Sequence, residues 1–219
     1  MLKAFRTLPQ LKARPTARVV TYEDGESILE FYPPGGKYLG RQVVPADNKM
    51  KDGGKSFMAP PSHIHLLQDE VFYVTQGEGL WYLRGQAPRR LKAGDTITIP
   101  QFLPHRFENV PGGTEPLEFD YNYDSSMREM EMRFFYNVFA YMDDCQHAKV
   151  PLSTLQLCVF CADCWMPVDL GIPGPNLINL VFSTLFMWIG AAIGRFVFGY
   201  HRTYPEYYQE EGNIFKKQS

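Results

Sequence analysis

Two stretches decide how this chain reads: PSHIHLLQDE at residues 61–70 and GDTITIPQFLPHRFEN at residues 94–109. In the first, His63 and His65 stand two apart, so on an extended segment their imidazoles leave the same face. Glu70 is an odd number of residues from both. A turn or register break is therefore needed in HLLQD before Glu70 can open a strand with its carboxylate inward. Alone, these residues also fit a polar turn with two incidental histidines. A metal needs donors converging on one point, so a further donor must come from elsewhere. In the second stretch His105, Phe107 and Asn109 share one face of HRFEN, with Arg106 and Glu108 opposite. An imidazole among inward aromatics wants a partner, which makes His105 that further donor.

Outward from these stretches, residues 15–124 read as short strands between turns. Residues 18–21, 28–32, 39–44, 96–99 and 105–109 are such runs. Residues 71–75 and 80–84, joined by QGEG, read as a hairpin. In LEFDYNY the residues Leu117, Phe119, Tyr121 and Tyr123 face one way, the period of a strand with one wet face. EVFYV at 70–74 is apolar beyond its glutamate on both faces. Its outside needs cover from another sheet, a partner subunit or the C-terminal half. Closed two-fold assemblies are common, so a homodimer is expected. Many short strands at this spacing predict an antiparallel sandwich or barrel.

The order of the two stretches carries a family resemblance. His63-x-His65-x4-Glu70-x6-Gly77 resembles the first cupin motif, and Gly94-x5-Pro100-x4-His105-x3-Asn109 resembles the second. Residues 78–93 lie between them. Two glycines usual in the motifs are replaced, by Phe57 and Phe102. These positions shape turns, so the donor set is intact, while the loop at Phe102 is expected to differ and to narrow a pocket mouth. The resemblance implies a mainly β fold, the double-stranded β-helix or jelly-roll barrel, over residues 15–124. It implies a divalent metal inside, held by His63, His65, Glu70 and His105, with positions left for water, substrate or dioxygen. Three histidines and one carboxylate suit Fe, Mn, Ni, Cu or Zn, with Fe favoured. Beyond the barrel, the layout is similar to small single cupins encoded in fungal natural-product clusters.

The remaining inward side chains suggest a substrate. Phe72, Val74, Phe107, Phe119 and Tyr123 would line an aromatic cavity suited to a flat or apolar molecule. The same residues also read as barrel core. Tyr121 brings a hydroxyl into that interior and is the candidate orienting catalytic group. Arg41 would bind a carboxylate or phenolate if it faced inward, but its face is not fixed by the pattern.

After Tyr123 the period becomes helical, giving an α-helical extension over residues 125–219. Ser126 with Glu129 forms a candidate capping box, followed by Met127, Met130, Phe134, Phe135, Val138 and Phe139 at helical spacing. A second helix is expected over residues 153–165. LINLVFSTLFMWIGAAIG at 177–194 has eighteen residues without a charge. It reads either as a membrane span or as a buried or interfacial helix, with Gly190 and Gly194 spaced for close packing. Cys158, Cys161 and Cys164 are three apart, with Cys145 earlier. An apolar helical context favours packing over an iron–sulfur cluster.

The 219 residues allow one sizeable domain with an extension, and the apolar fraction of 45% supports a core. A formal charge of -2 gives no basic excess for nucleic acid. The first twenty residues carry basic side chains and no acid. They lack the apolar run of a secretory signal and read as a solvated basic lead-in rather than a transit peptide or membrane arm. An intracellular setting, cytoplasmic or membrane-associated, with reduced cysteines is expected. Three functions stand open. The leading one is an oxygenase or oxidase acting on a small aromatic or polyketide-like metabolite. The others are a non-redox metal-assisted isomerase, cyclase or dehydratase, and a non-enzymatic ligand-binding cupin with an assembly- or membrane-directed tail.

Overall fold

The computed structural model describes residues 6–122 and 124–209. They form two compact units, Arg18–Arg128 and a second made of Met1–Ala17 with Glu129–Ser219.

The first unit is an antiparallel jelly roll. Its strands are β1 (Val19–Tyr22), β2 (Ser27–Phe31), β3 (Gly40–Val44), β4 (Glu70–Gln76), β5 (Glu78–Leu83), β6 (Arg89–Lys92), β7 (Thr96–Ile99), β8 (His105–Asn109) and β9 (Leu117–Asn122). One sheet has the order β1-β2-β3-β9-β4-β7, the other β6-β5-β8. Alternation fixes which side chains enter. His105, Phe107 and Asn109 are buried on β8, and Leu117, Phe119 and Tyr121 on β9. On the outer face Arg41 pairs with Glu118 at 2.9 Å and with Glu30 at 3.5 Å, so it does not reach into the interior. The outside of β4 is half-buried, with Tyr73 stacked on Tyr38 at 5.9 Å between ring centres.

The expected hairpin between residues 71–75 and 80–84 is not formed. β4 pairs with β7 and β9, whereas β5 pairs with β6 and β8. The chain crosses from one sheet to the other at Gly77, which has φ +72. A Cβ there would lie 2.3 Å from the Pro116 carbonyl oxygen. Gly77 thus permits a close backbone crossing where a two-strand turn was expected.

The second unit packs α1 (Arg128–Ala148, begun at the unit boundary), α2 (Thr154–Asp163) and α3 (Asn176–Ile193), with a wider π-type turn over Gly194–Phe198. The expected Ser126–Glu129 capping box gives way to a short 3-10 turn at Ser125–Met127, where the Asp124 carboxylate accepts from Ser126 N–H at 2.8 Å. Ser153 caps α2. The basic lead-in is not simply solvated. Arg14 donates to buried Asp143 and Asp144 of α1 at 2.6 and 2.7 Å. Lys12 N–H donates to Asp144 as well. The four cysteines are free and buried. Gly190 and Gly194 bring α3 against Cys158, and against Leu155 and Val159, of α2. The spacing that suggested helix association is therefore used within the unit.

Candidate metal centre

The donors arrive from three places in the barrel. His63 and His65 lie on the extended segment before β4, Glu70 opens β4, and His105 opens β8. His63 and His105 exchange backbone hydrogen bonds at 2.9 and 3.0 Å, which adds the histidine segment to the edge of β8. The break expected between His65 and Glu70 is a bend at Leu66 and Leu67. Asp69 ties it to the next loop by accepting from Gln101 N–H at 2.9 Å. All four side chains are buried, and their donor atoms lie within 4.8 Å of one another. No other group of three or more His, Cys, Asp or Glu donors converges in this way among the described residues. The cysteines fit packing, and burial pushes the Cys161 thiol up to about 12.

The hydrogen bonds fix which nitrogen faces inward. His63 Nδ1 lies 2.9 Å from the Pro61 carbonyl, and His105 Nδ1 lies 2.9 Å from the Leu103 carbonyl. A carbonyl only accepts, so both Nδ1 atoms carry hydrogen and both Nε2 atoms are turned toward the other donors. His105 Nε2 then sits 2.8 Å from Glu70 Oε2, and His65 Nε2 sits 3.4 Å from the same oxygen. Two lone pairs cannot face each other at 2.8 Å without a proton or a cation. Ligands at about 2.1 Å from one ion lie about 3–4 Å apart, and the four donor atoms here lie within 4.8 Å of one another. The residues therefore fit a divalent metal.

Burial also sets the protonation. Desolvation, with the neighbouring His105 and His65, pushes His63 down to about 3. Desolvation outweighs the Glu70 charge and pushes His65 down to about 4. For Glu70, burial acts upward, but His65 and the His105 hydrogen bond outweigh it and hold the carboxyl at about 2. At neutral pH this is a carboxylate beside the neutral imidazoles of His63 and His65, the form in which these groups bind metals.

The predicted pocket residues come together differently. Phe72 and Phe107 lie two positions along their strands from Glu70 and His105, on the same inward faces. Phe72, Phe107 and Phe119 meet edge to face at 4.9–5.3 Å between ring centres, and Trp81 packs on all three. Val74 is fully buried on the same face of β4. These residues form a filled aromatic layer beside the donors. Trp81, which pairs with Phe107 in register, belongs to it and was missed because the expected hairpin placed its strand in the wrong sheet. Ile99 stands across from Glu70, and Leu83 across from His105, at the donor level. Tyr121 is buried on the same face as Phe119. Its hydroxyl leans over β3, 2.9 Å from where a Cβ on Gly40 would lie. β3 flanks β9 on the side away from Glu70's strand. Tyr123 lies outside the described residues.

The two departures from the motif resolve in opposite ways. Phe57 keeps an ordinary backbone, and its N–H donates to Glu23 at 2.9 Å, so no glycine is needed. Phe102 has φ +66, in the region that favours glycine. It occupies the third position of a turn closed by Leu103 N–H and the Pro100 carbonyl. Its own N–H donates to the His65 carbonyl at 2.9 Å, and its ring is 41% exposed. The loop keeps the glycine geometry with an aromatic ring at the rim.

A family model described as a cupin domain matches residues 54–120. The probable oxidoreductase virH of Hypocrea virens is 28% identical over 208 residues, covering 87% of this chain and 86% of that protein. Oxidoreductase iacF of Pestalotiopsis fici is 27% identical over 186 residues, covering 83% and 88%. An uncharacterized protein of Methanocaldococcus jannaschii is 33% identical over 96 residues, covering 44% of this chain and 70% of its own length. The first two similarities are long enough to include helical residues as well as the barrel.

Proposed function

We propose that this chain, whose residues 54–120 match a cupin domain model, is a metal-dependent cupin oxidoreductase, an oxygenase or oxidase acting on a small aromatic or polyketide-like molecule. One observation carries the proposal: the donor atoms of buried His63, His65, Glu70 and His105 lie within 4.8 Å of one another, with Nδ1 of His63 and of His105 held by backbone carbonyls. The names of the two relatives that match most of the chain support the redox class. A bound divalent ion, iron in the favoured reading, would supply electron transfer and a Lewis-acidic point. The protein's own part is binding and exclusion. Ile99 and Leu83 surround the donors with hydrocarbon, and the Phe72–Phe107–Phe119–Trp81 layer closes one side against water. An apolar, planar substrate suits such walls better than a charged metabolite. Tyr121 is proposed as a positioning residue that holds the substrate from the β3 side.

Elemental analysis of freshly purified protein, paired with oxygen uptake on aromatic and polyketide-like candidates, tests the reading. Iron or copper at one equivalent, lost in His63→Ala together with oxygen uptake, is the expected result. Zinc with oxygen-independent turnover would instead place the chain among metal-assisted isomerases, cyclases or dehydratases. Metal-free protein with unchanged ligand binding in His105→Ala would overturn both. Tyr121→Phe is expected to keep its metal and raise KM.

A further inference from the structure

We propose that the outward face of α3 docks the protein onto one side of a lipid bilayer, lying in the interface rather than crossing it. The helix is inverted relative to a helix of a water-soluble surface. Two of its polar side chains are buried and the other two, Asn176 and Thr184, are half-buried: Asn179 accepts from Ile172 N–H at 2.8 Å and donates to Asp169 at 2.7 Å, and Ser183 accepts from Leu170 N–H at 3.1 Å. Its exposed side chains are apolar. Leu177, Phe182, Leu185, Ile189 and Phe196 are 50–74% exposed. At about 100° per residue, the exposed positions from 177 to 193 sweep an arc of about 180°. The opposite stripe, from Asn179 through Ser183, Met187 and Gly190 to Gly194, is buried.

The width and rim of this face point to lipid. A helix packing on one protein partner needs a stripe of about 100°, and a second copy would leave the rest of the arc in water. Lipid covers all of it. At one end of the arc lies a cleft of about 430 Å³ that includes Arg133, Asp163, Trp165, Trp188, Arg195 and Arg202. Trp165 and Trp188 meet edge to face at 5.1 Å and are 42% and 40% exposed, amphipathic rings suited to the headgroup level. Arg195 and Arg202 are exposed beside them, and although Arg202 lies 3.6 Å from Asp163, the arginines outnumber that one acid and leave a cationic edge complementary to anionic headgroups. Residues 176–198 are long and apolar enough to cross, with mean hydropathy 1.9. Crossing would carry the attached α2 into hydrocarbon, with the Arg133–Asp163 ion pair of 2.7 Å that shares the cleft with Trp188. Charged groups there are costly, so a helix half-sunk along its length fits better.

Flotation of the purified full chain with phosphatidylcholine vesicles, with and without phosphatidylserine, tests this. The wild type is expected to float with both and more tightly with phosphatidylserine. Phe182→Glu with Ile189→Glu, both exposed, is expected to weaken binding to both by at least about tenfold. Leu177→Ser with Leu185→Ser probes the same face more mildly if the glutamates disturb folding. Arg195→Gln with Arg202→Gln is expected to lose about thirtyfold on phosphatidylserine vesicles only, from about 1 kcal/mol per arginine. Wild type that stays off all vesicles overturns the proposal. So does self-association in sedimentation velocity that the glutamate pair abolishes, which would assign the face to a second copy. Sidedness is read in microsomes by an impermeant maleimide on Pro173→Cys and His201→Cys, the natural thiols being buried. Labelling of both from one side is expected, and labelling from opposite sides would show a span and overturn it.

Discussion

A buried imidazole without its proton and a buried carboxylate without one are both sensitive to acid, and here they act with the same sign. His63 at about 3 and His65 at about 4 titrate below the ordinary histidine range of about 6.5. Between those values the unfolded chain binds protons that the folded barrel refuses, so metal-free stability falls as pH drops through that window. Glu70, held at about 2, adds a further loss below about 4.5. Two histidines give a slope of up to about 2.7 kcal/mol per pH unit. Urea unfolding of metal-free protein at several pH values should show this fall starting near pH 6.5, and His63→Gln should remove about half of it. A flat profile would mean the imidazoles are not buried as described. A second residue-scale test concerns Phe102, whose φ of +66 strains any side chain with a Cβ. Comparing two variants separates backbone from ring: Phe102→Gly should be more stable than Phe102→Ala by about 1 kcal/mol. Equal stabilities would count against the left-handed turn that holds the His65 carbonyl.

Strands and helices show where sequence patterns carry information and where they stop. Donor residues were legible because strand period and motif spacing both act locally: His105 fell on the inward face of β8 as alternation requires. Pairing was not legible at Gly77. A glycine in QGEG fits a hairpin turn and a sheet crossing equally well, and only the distant Pro116 carbonyl distinguishes them. β6 was invisible for another reason: Arg89, Arg90 and Lys92 give it no apolar alternation, as suits a charged edge strand. The Nδ1 contacts to the Pro61 and Leu103 carbonyls leave no mark in residue type. In the helices, the run of 177–194 read only as uncharged, yet its polar Asn179 and Ser183 are the groups that fasten it to residues 169–172. The crossing at Gly77 can be tested against a glycine of similar φ. Gly85 has φ +75 and open space where a Cβ would go, whereas Gly77 would meet backbone at 2.3 Å. Gly85→Ala should cost about 1 kcal/mol and Gly77→Ala about 2–4 kcal/mol in urea unfolding. Equal costs would mean the crossing is looser than it is drawn.

On the scale of the molecule, the four donors do more than converge. Glu70 belongs to the six-stranded sheet, while His105 belongs to the three-stranded sheet and His63 is bridged to it. An ion held by all four would cross-link the two sheets at one end of the barrel, next to the aromatic layer that packs them together. Because the donors are scattered over 43 positions of chain, from His63 to His105, the unfolded protein offers no comparable site. Binding is then linked to folding, and free metal at about a hundred times its Kd adds about 2.7 kcal/mol. Chelation should lower the barrel's unfolding midpoint and raise amide hydrogen exchange in β4, β8 and the 61–65 segment. Re-addition of the metal found by elemental analysis should reverse both changes. His105→Ala should shrink the metal-dependent shift of the midpoint, because it removes the donor on β8 itself and leaves His63 alone to tie the smaller sheet to Glu70. If the wild type binds one equivalent of metal yet shows the same midpoint and exchange after chelation, the ion does not join the sheets, and the donor set must be held by packing alone.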